Sequence, residues 1–410
     1  MIRKQSLGEL IFLIIIIAYP INIELGFSIR IIDMMVLFAL IIFFLNYKFK
    51  KSVITNLSFI LFFIYLISTI YGMLNVGIKN YENFFFIYKY ILPFLLILLL
   101  SNLKLKYSSI NKLIKVAVFV YLFMIVWVYF FIGLSFVGVF PLGLRPAFPF
   151  TDVWSEKTTD AHLYSAYISN GLIFFIVLCK MNYLKISGFI KNIIVIMSLV
   201  SMLLTGSRNG LLSFGLSYMV IISYPLIDNL INNKFLFSRK GFLKSIIFGV
   251  LGTIAVFILL QNFLDSEDLG KFVSRALNFN FFNDTSSSQR VEQLATAFNL
   301  IVNESLMFGI GMQSYSGQWF DGGVAAVLVS MGLLGVVIYI AIIVTFLVRL
   351  NMKKVDSVLV FYIAIVFFNY IIANLVSEFF LITRSVVPFS INIALLLQLF
   401  DYKSRIKESL

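Results

Sequence analysis

The chain has 410 residues, of which 61% are hydrophobic, 17% aromatic and 12% charged, and its mean hydropathy is +1.00. A soluble fold of this length cannot bury so large an apolar fraction, so lipid must solvate much of the chain. The net charge of +13 does not indicate nucleic-acid binding, because the basic residues cluster at alternate junctions between apolar runs. That distribution is what the positive-inside rule expects of cytoplasmic loops.

The apolar runs predict helices, because every backbone polar group in hydrocarbon needs a partner within its own segment. At about 20 residues per crossing, the predicted spans are 8–23, 29–46, 54–74, 84–101, 113–134, 162–179, 190–206, 209–226, 245–263, 322–348, 356–373 and 386–401. The first run has a basic flank but no small-residue cleavage site, so we expect it to be retained as a span. Twelve spans place both termini and the basic clusters in the cytoplasm. The predicted fold class is therefore an all-α polytopic membrane protein, with 1–410 as a single membrane domain.

Two outer loops are long on this topology. Residues 135–161 contain three prolines, which exclude a continuous helix. Residues 264–321 form one large extracytoplasmic loop that is polar and partly helical in prediction. Water-facing backbone is scarce elsewhere in the chain, so a functional site is expected in or beside these loops.

Arg208 lies in the turn TGSRNG (Thr205–Gly210), which follows an apolar run without a break. An arginine at the bilayer centre costs ~2.5–3.5 kcal/mol, so it should face protein, water or an anionic group. Gly206 and Gly210 allow a sharp turn and a close backbone approach. Two interpretations stay open, a guanidinium that faces a ligand and one that extends to the membrane interface.

Arg290 belongs to the stretch SSSQRVEQLATAFNLIVNE, which predicts an amphipathic helix. One face of this helix carries the apolar residues Val291, Leu294, Phe298, Ile301 and Val302. Ser286 and Gln289 fit a capping box, which places Arg290 in the first turn. Free amides and a guanidinium there would make an anion site suited to phosphate. The alternative is a solvated arginine that pairs with Glu292 or Asp284.

The segment FGIGMQSYSGQWFDGG (Phe308–Gly323) follows, and its glycines predict non-helical backbone. Trp319 suits a membrane interface or the face of a sugar. Asp321 opens the next span, where it either caps the helix or offers a carboxylate that accepts a proton. Further on, Gly332 and Gly335 are predicted helix-packing contacts.

His162 is the only histidine and Cys179 the only cysteine of the chain. One of each cannot form a transition-metal cluster or a disulfide framework. The sequence contains no Walker loop and no nucleotide fingerprint, so neither a metal nor a cofactor is predicted. A lone histidine is more often structural than catalytic, and both interpretations of His162 stay open.

Four segments, taken in order, resemble the O-antigen polymerase and ligase superfamily of bacterial envelope glycosyltransferases. They lie between Arg145 and Gly335 and read RPAFPF with DAHLYSAY, LLTGSRNGLLSF, SQRVEQLATAFNLIVNESLMFGIGMQSYS and DGGVAAVLVSMGLLG. The resemblance implies a GT-C-like helical fold in the bacterial inner (plasma) membrane. It also implies transfer of a glycan from a polyprenyl-diphosphate carrier on the outer face, without a metal or nucleotide sugar.

In that family an arginine of the SRxG turn and one at the start of the loop helix engage the diphosphate, and here these are Arg208 and Arg290. We expect the two to converge on one headgroup. Further candidates for substrate binding are Arg145, Arg275, His162 and Trp319.

The ligase branch of the family has a histidine in the second half of the large loop, taken as its base. This chain has none there, and Asp321 stands nearest, in a DGG similar to the DSG of polymerases. The resemblance therefore implies a polymerase of oligosaccharide repeat units for O-antigen, capsule or exopolysaccharide, with Asp321 as the candidate base.

The expected partners are the lipid-linked oligosaccharide, membrane lipid and a chain-length regulator protein, and no nucleic acid. Two alternatives stay open, a ligase of the same superfamily and a transporter or flippase of lipid-linked oligosaccharide. Against the transporter, the two halves of the chain look unlike and its polar residues lie mostly outside the spans.

Overall fold

The structure is a computed structural model. It describes residues 2–22, 24–26, 29–46, 53–75, 82–103, 105–140, 145–146, 148–151, 161–231, 285–311, 314–315, 318–320, 323–352, 357–376 and 383–409. This part of the chain contains twelve α-helices and six strands of two or three residues each. The protein is therefore helical, as the apolar runs predicted.

The first eight helices are α1 (Ile2–Ala18), α2 (Ile31–Asn46), α3 (Val53–Asn75), α4 (Glu82–Asn102), α5 (Tyr107–Phe136), α6 (Ala161–Lys180), α7 (Gly188–Leu204) and α8 (Arg208–Ile231). The last four are α9 (Thr285–Asn303), α10 (Gly323–Met352), α11 (Ser357–Val376) and α12 (Thr383–Ser409). The strands are β1 (Ile21–Asn22), β2 (Glu24–Gly26), β3 (Ile29–Arg30), β4 (Phe150–Thr151), β5 (Ser314–Tyr315) and β6 (Gln318–Trp319). Strand β1 pairs in parallel with β4, while β2 with β3 and β5 with β6 are antiparallel pairs.

Five of the described helices, α3, α5, α6, α10 and α11, are long and apolar enough to cross a membrane. Their outward faces carry large apolar side chains, and Phe59 and Phe63 of α3 are both more than half exposed. Such faces are stable in lipid and unfavourable in water. The chain is therefore a multi-pass helical membrane protein, as predicted.

One predicted span ends at a different residue from its helix, and another cannot be compared with a helix. Helix α1 ends at Ala18, before the predicted residue 23, because Tyr19 precedes Pro20 and a residue before proline is biased away from helical backbone. The predicted span 245–263 lies outside the described residues. The single membrane domain over 1–410 stays a prediction.

The chain divides into two compact units. Unit 1 comprises Met1–Val120, Pro149–Asp152 and Asn280–Leu410, and unit 2 comprises Tyr121–Phe148 and Val153–Phe279. The division falls inside α5.

In unit 1, α4 and α12 pack side by side and run in the same direction. The Ser390 hydroxyl donates a hydrogen bond of 3.4 Å to the carbonyl of Pro93. Further along both helices the Gln398 amide donates to the carbonyls of Leu100 and Ser101, at 2.9 Å each. The last carbonyls of a helix have no partner within it, so this buried glutamine satisfies the end of α4.

Helix α10 of unit 1 is interrupted at Gly332, which has φ 61° and ψ −164°. The break frees backbone groups that would each cost several kcal/mol if left unpaired in hydrocarbon. The N–H groups of Leu333 and Leu334 instead donate to the carbonyls of Leu306 and Met307, at 3.1 Å each. The sequence predicted Gly332 as a helix-packing contact, whereas in the structure it breaks the helix and admits a second piece of backbone.

Helix α3 also contacts this stretch of chain, through hydrogen bonds to the carbonyls of residues 304 and 308. The Ser68 hydroxyl donates to the carbonyl of Phe308, and the Tyr71 hydroxyl donates to that of Glu304 at 2.8 Å. The segment 304–310 is therefore fixed between α3 and α10.

We predict that Gly332→Ala destabilises the protein. A Cβ at residue 332 would lie 2.4 Å from the Met307 carbonyl oxygen, and the backbone there is left-handed, a conformation that costs about 1–3 kcal/mol in other residues. Thermal unfolding in detergent, followed by fluorescence-detected size exclusion, should show a lower Tm. The matched control is Gly215→Ala in α8, where the added Cβ meets nothing within 4 Å. Equal melting of the two variants would contradict the prediction.

Candidate functional site

The turn between α7 and α8, in unit 2, holds Arg208 at a fixed place. Helix α7 ends at Leu204 and α8 begins at Arg208, with Gly206 at the centre of the turn. The neighbours Ser207 and Asn209 are buried, while Arg208 itself is half-buried. The guanidinium therefore belongs to the first turn of a long helix, whose dipole disfavours a cation and favours an anion.

Arg145 joins this turn from the proline-containing loop. Its Nη2 atom donates a hydrogen bond of 3.4 Å to the carbonyl of Gly206. Arg145 is also half-buried, so this turn has one half-buried arginine in its own chain, Arg208, and a second bonded to it, Arg145. Hydrogen bonds from charged donors to an anion are stronger than those between neutral groups, so two arginines at one turn favour an anionic ligand. The arrangement is chemically suited to a phosphate or diphosphate group.

The turn is fixed against α6. The Ser165 hydroxyl donates to the carbonyl of Ser207 at 3.4 Å. Gly210 permits this approach, because a Cβ there would lie 2.1 Å from the Ser165 hydroxyl oxygen and 2.4 Å from its carbonyl oxygen. One turn further, the hydroxyls of Ser169 and Ser213 are 3.0 Å apart, so α6 and α8 run in the same direction.

His162 lies at the same end of this helix pair. It is half-buried and precedes Ser165 by three residues, which places the two on one face of α6. The structure therefore brings three of the predicted residues, Arg145, His162 and Arg208, to one end of unit 2.

Sequence reasoning missed the buried serines that support this end. Ser165 and Ser169 on α6, and Ser213 and Ser217 on α8, are buried, and Ser217 donates to the carbonyl of Ser213 at 2.6 Å. Small hydroxyl residues allow membrane helices to approach closely and to bond across the contact. The signal was present in the sequence, since each pair has a spacing of four residues within an apolar run.

In unit 1, Arg290 lies on α9 but not in its first turn. The helix begins at Thr285, so Arg290 is its sixth residue and the predicted capping box at Ser286 falls inside the helix. Arg290 is half-buried and its Nε atom is buried. It shares a face with Ala297 and Ile301, which are fully buried. The first-turn prediction was wrong, and the dipole argument for an anion at Arg290 weakens, because that effect fades beyond the first turn.

The remaining predicted site residues are Trp319, Asp321 and Arg275. Trp319 lies in β6, where its partner in β5 is Ser314. Asp321 and Arg275 lie outside the described residues. The predicted convergence of Arg208 and Arg290 on one headgroup stays a prediction. Within the described ranges, no group of three or more His, Cys, Asp or Glu side chains is placed to hold a metal ion.

We predict that inorganic pyrophosphate binds the turn that Arg145 and Arg208 share. Arg208→Gln removes a charged donor from this turn, and a hydrogen bond to a charged group contributes about 1.5–3 kcal/mol. Binding should therefore weaken about tenfold or more, with a smaller loss for Arg145→Gln. Calorimetric titration of the detergent-purified protein measures this.

The matched control for that titration is Lys112→Gln. Lys112 is an exposed cation at the start of α5, in unit 1. Equal losses in Lys112→Gln and Arg208→Gln would show that only the overall charge matters.

A comparison with models of known protein families found no match, and neither did a comparison with curated proteins. The proposed roles of these residues therefore depend on the chemistry and geometry of this chain together with the resemblance in its motifs.

Proposed function

We propose that the protein is a membrane glycosyltransferase that joins polyprenyl-diphosphate-linked oligosaccharide repeat units into a polysaccharide on the outer face of the bacterial inner membrane. The observation that carries this proposal is the placement of Arg145 and Arg208 at one half-buried turn. A pair of guanidiniums at a helix start is suited to an anionic headgroup. A lipid-linked substrate brings such a headgroup to a protein that is itself in the bilayer.

The chemistry follows from where charge develops. When a hydroxyl of the acceptor sugar attacks the anomeric carbon of the donor, the bond to the diphosphate breaks and negative charge grows on the leaving group. Fixed guanidiniums there stabilise the transition state more than the ground state. Arg208 and Arg145 are proposed to supply this stabilisation, while Asp321 is proposed as the base that takes the hydroxyl proton.

Arg290 is proposed to contact the same lipid-linked substrate. This role depends on the motif resemblance and on the position of Arg290 on the same face of α9 as the buried Ala297, two turns away. A half-buried guanidinium keeps its charge, because arginine does not deprotonate in proteins. It therefore retains the charge needed to bind an anion.

Helix directions within each unit support the proposed twelve-span, GT-C-like topology with both termini in the cytoplasm. In unit 2, α6 and α8 run in the same direction. In unit 1, α4 and α12 also run in the same direction. A salt bridge of 3.0 Å between Glu9 and Lys112 joins α1 and α5 where the first and fifth predicted spans begin. Each of these pairs is separated by an odd number of predicted spans, as alternating crossings require.

The break in α10 favours one different function, a transporter, because interrupted helices form the substrate and ion sites of many transporters. Those sites use the freed backbone groups as ligands. Here the freed N–H of Leu333 donates to Leu306, and the freed carbonyl of Val329 accepts from the N–H of Ile310 at 2.8 Å. The groups are thus used in holding the chain together, which weighs against an ion site at this break.

We predict that Arg208→Ala abolishes chain elongation. The purified protein is reconstituted in liposomes with its lipid-linked repeat unit on the outside, and the products are sized. Without the guanidinium the leaving diphosphate is poorly stabilised, so single repeats should accumulate and long chains should be lost. Arg208→Lys should recover part of the activity, since it restores charge without the planar fork. Arg290→Ala is tested in the same assay.

The control in this assay is Lys112→Ala, which should give the full range of chain lengths. Normal chain-length ladders in both Arg208→Ala and Arg290→Ala would refute the proposed roles. Attachment of finished polymer to an acceptor without elongation would identify a ligase. Movement of the lipid-linked repeat across the bilayer without a new bond would identify a transporter.

A further inference from the structure

Helix α9 presents an apolar stripe away from the protein. The α9 apolar stripe consists of Val291, Leu294, Phe298 and Val302, which are 70%, 41%, 49% and 51% exposed. At 100° per residue these four lie within one sector of the helix. Exposed aliphatic and aromatic side chains in a row require a partner or an apolar solvent.

The rest of the helix surface divides into two further sectors. Ala297 and Ile301 are fully buried and face the core of unit 1, where Ala297 packs with Phe320 and Ala325. On the side of the stripe away from this buried sector lie the exposed polar residues Glu292, Asn299 and Asn303. The exposed half of α9 is therefore itself amphipathic. This pattern is typical of a helix that lies in a membrane interface, with one sector in the hydrocarbon and the next in water.

The exposed apolar residues that follow α9 lie at the depth of a membrane span. Directly after α9, the exposed side chains of Leu306 and Met307 follow. Their carbonyls accept hydrogen bonds from Leu333 and Leu334. These lie about ten residues into α10, or ~15 Å along its axis. The exposed apolar surface thus passes from α9 to a level well inside a helix that is suited to crossing a membrane.

Neighbouring surface on α3 has the same character. Tyr71 of α3 bonds to the chain at Glu304, and Ile67, Ile70 and Leu74 on this part of α3 are all more than 40% exposed. A soluble partner protein on the stripe would lie next to α3 and α10, which are both suited to crossing a membrane, and the side chains that α3 exposes here are apolar. Membrane lipid already covers those helices.

We infer that the α9 apolar stripe inserts into the hydrocarbon of the leaflet that contains the start of α10, with the acyl chains of bulk phospholipid as its partner. Helix α9 then lies along the membrane surface beside the helix bundle. This inference does not depend on the proposed glycosyltransferase activity. It depends on the helical membrane fold and on the contacts that fix the segment 304–310.

The test uses the full chain in phosphatidylcholine nanodiscs and an environment-sensitive fluorophore on single cysteines. Cys179 is first replaced by alanine, and cysteines are introduced at Leu294 and Phe298 in the stripe. Matched controls are Asn299→Cys and Asn303→Cys on the polar sector of the same helix. Quenching by lipids brominated along their acyl chains is compared with quenching by aqueous iodide.

Probes at 294 and 298 should be quenched several-fold more by brominated lipid than probes at 299 and 303, with the reverse order for iodide. Equal and weak lipid quenching at all four positions would overturn the inference. Protection of 294 and 298 from both quenchers would also overturn it, because protein would then cover the stripe. If Phe298→Cys does not yield folded protein, Leu294→Cys and Val291→Cys carry the same comparison.

Discussion

Backbone hydrogen bonding in hydrocarbon is the constraint on which the arrangement of unit 1 depends. Water is absent from the bilayer core, so a helix can be interrupted there only where other protein groups satisfy the freed amides and carbonyls. Helix α10 is interrupted at Gly332, and the segment 306–310 provides the missing partners. The segment 306–310 is consequently part of the helix packing of unit 1.

This anchoring determines how α9 is held. Its last turn leads directly into Glu304 and the segment that α3 and α10 fix, and its inward residues Ala297 and Ile301 are buried. Arg290 stands two turns before Ala297, or ~10 Å along the helix. The arginine is thus carried by a helix that is firmly packed at its far end, while its own end is the less buried one. Among the described residues, the contacts that set its position lie on the C-terminal side of α9, at Ala297, Ile301 and Glu304.

The sequence predicted helices well because apolar length alone decides them in a membrane protein. It could not predict what covers a helix face. The periodicity of α9 correctly placed Val291 and Phe298 on one side, and this side is exposed. Ile301 was predicted on the same side, but it lies in the protein core with Ala297. Periodicity identifies residues that share a face, whereas the choice between protein and another apolar partner depends on the three-dimensional surroundings.

The sequence did not predict the helix break at Gly332 for a similar reason. A glycine in an apolar run is equally compatible with close helix packing and with a left-handed residue, and only the approach of residues 306–309 distinguishes them. The contact of Arg145 with Gly206 was also beyond sequence reasoning, because 60 intervening residues separate them and prolines interrupt the loop between. The turn itself, TGSRNG, was predicted correctly because its glycines lie between two long apolar runs.

A turn that is held on two sides gives the candidate anion site its chemical value. The contact of Gly210 with Ser165 fixes the start of α8 on α6, and Arg145 bonds to the carbonyl at the centre of the turn. A guanidinium has five donors, so the single hydrogen bond to Gly206 does not use the whole hydrogen-bonding capacity of Arg145. Charges held in place before the reaction need no reorganisation when negative charge grows on a leaving group, and partial burial strengthens their effect. An arginine on a mobile loop in water would have the same charge but would lose most of this advantage, which is why a rigid helix end is the more effective place for it.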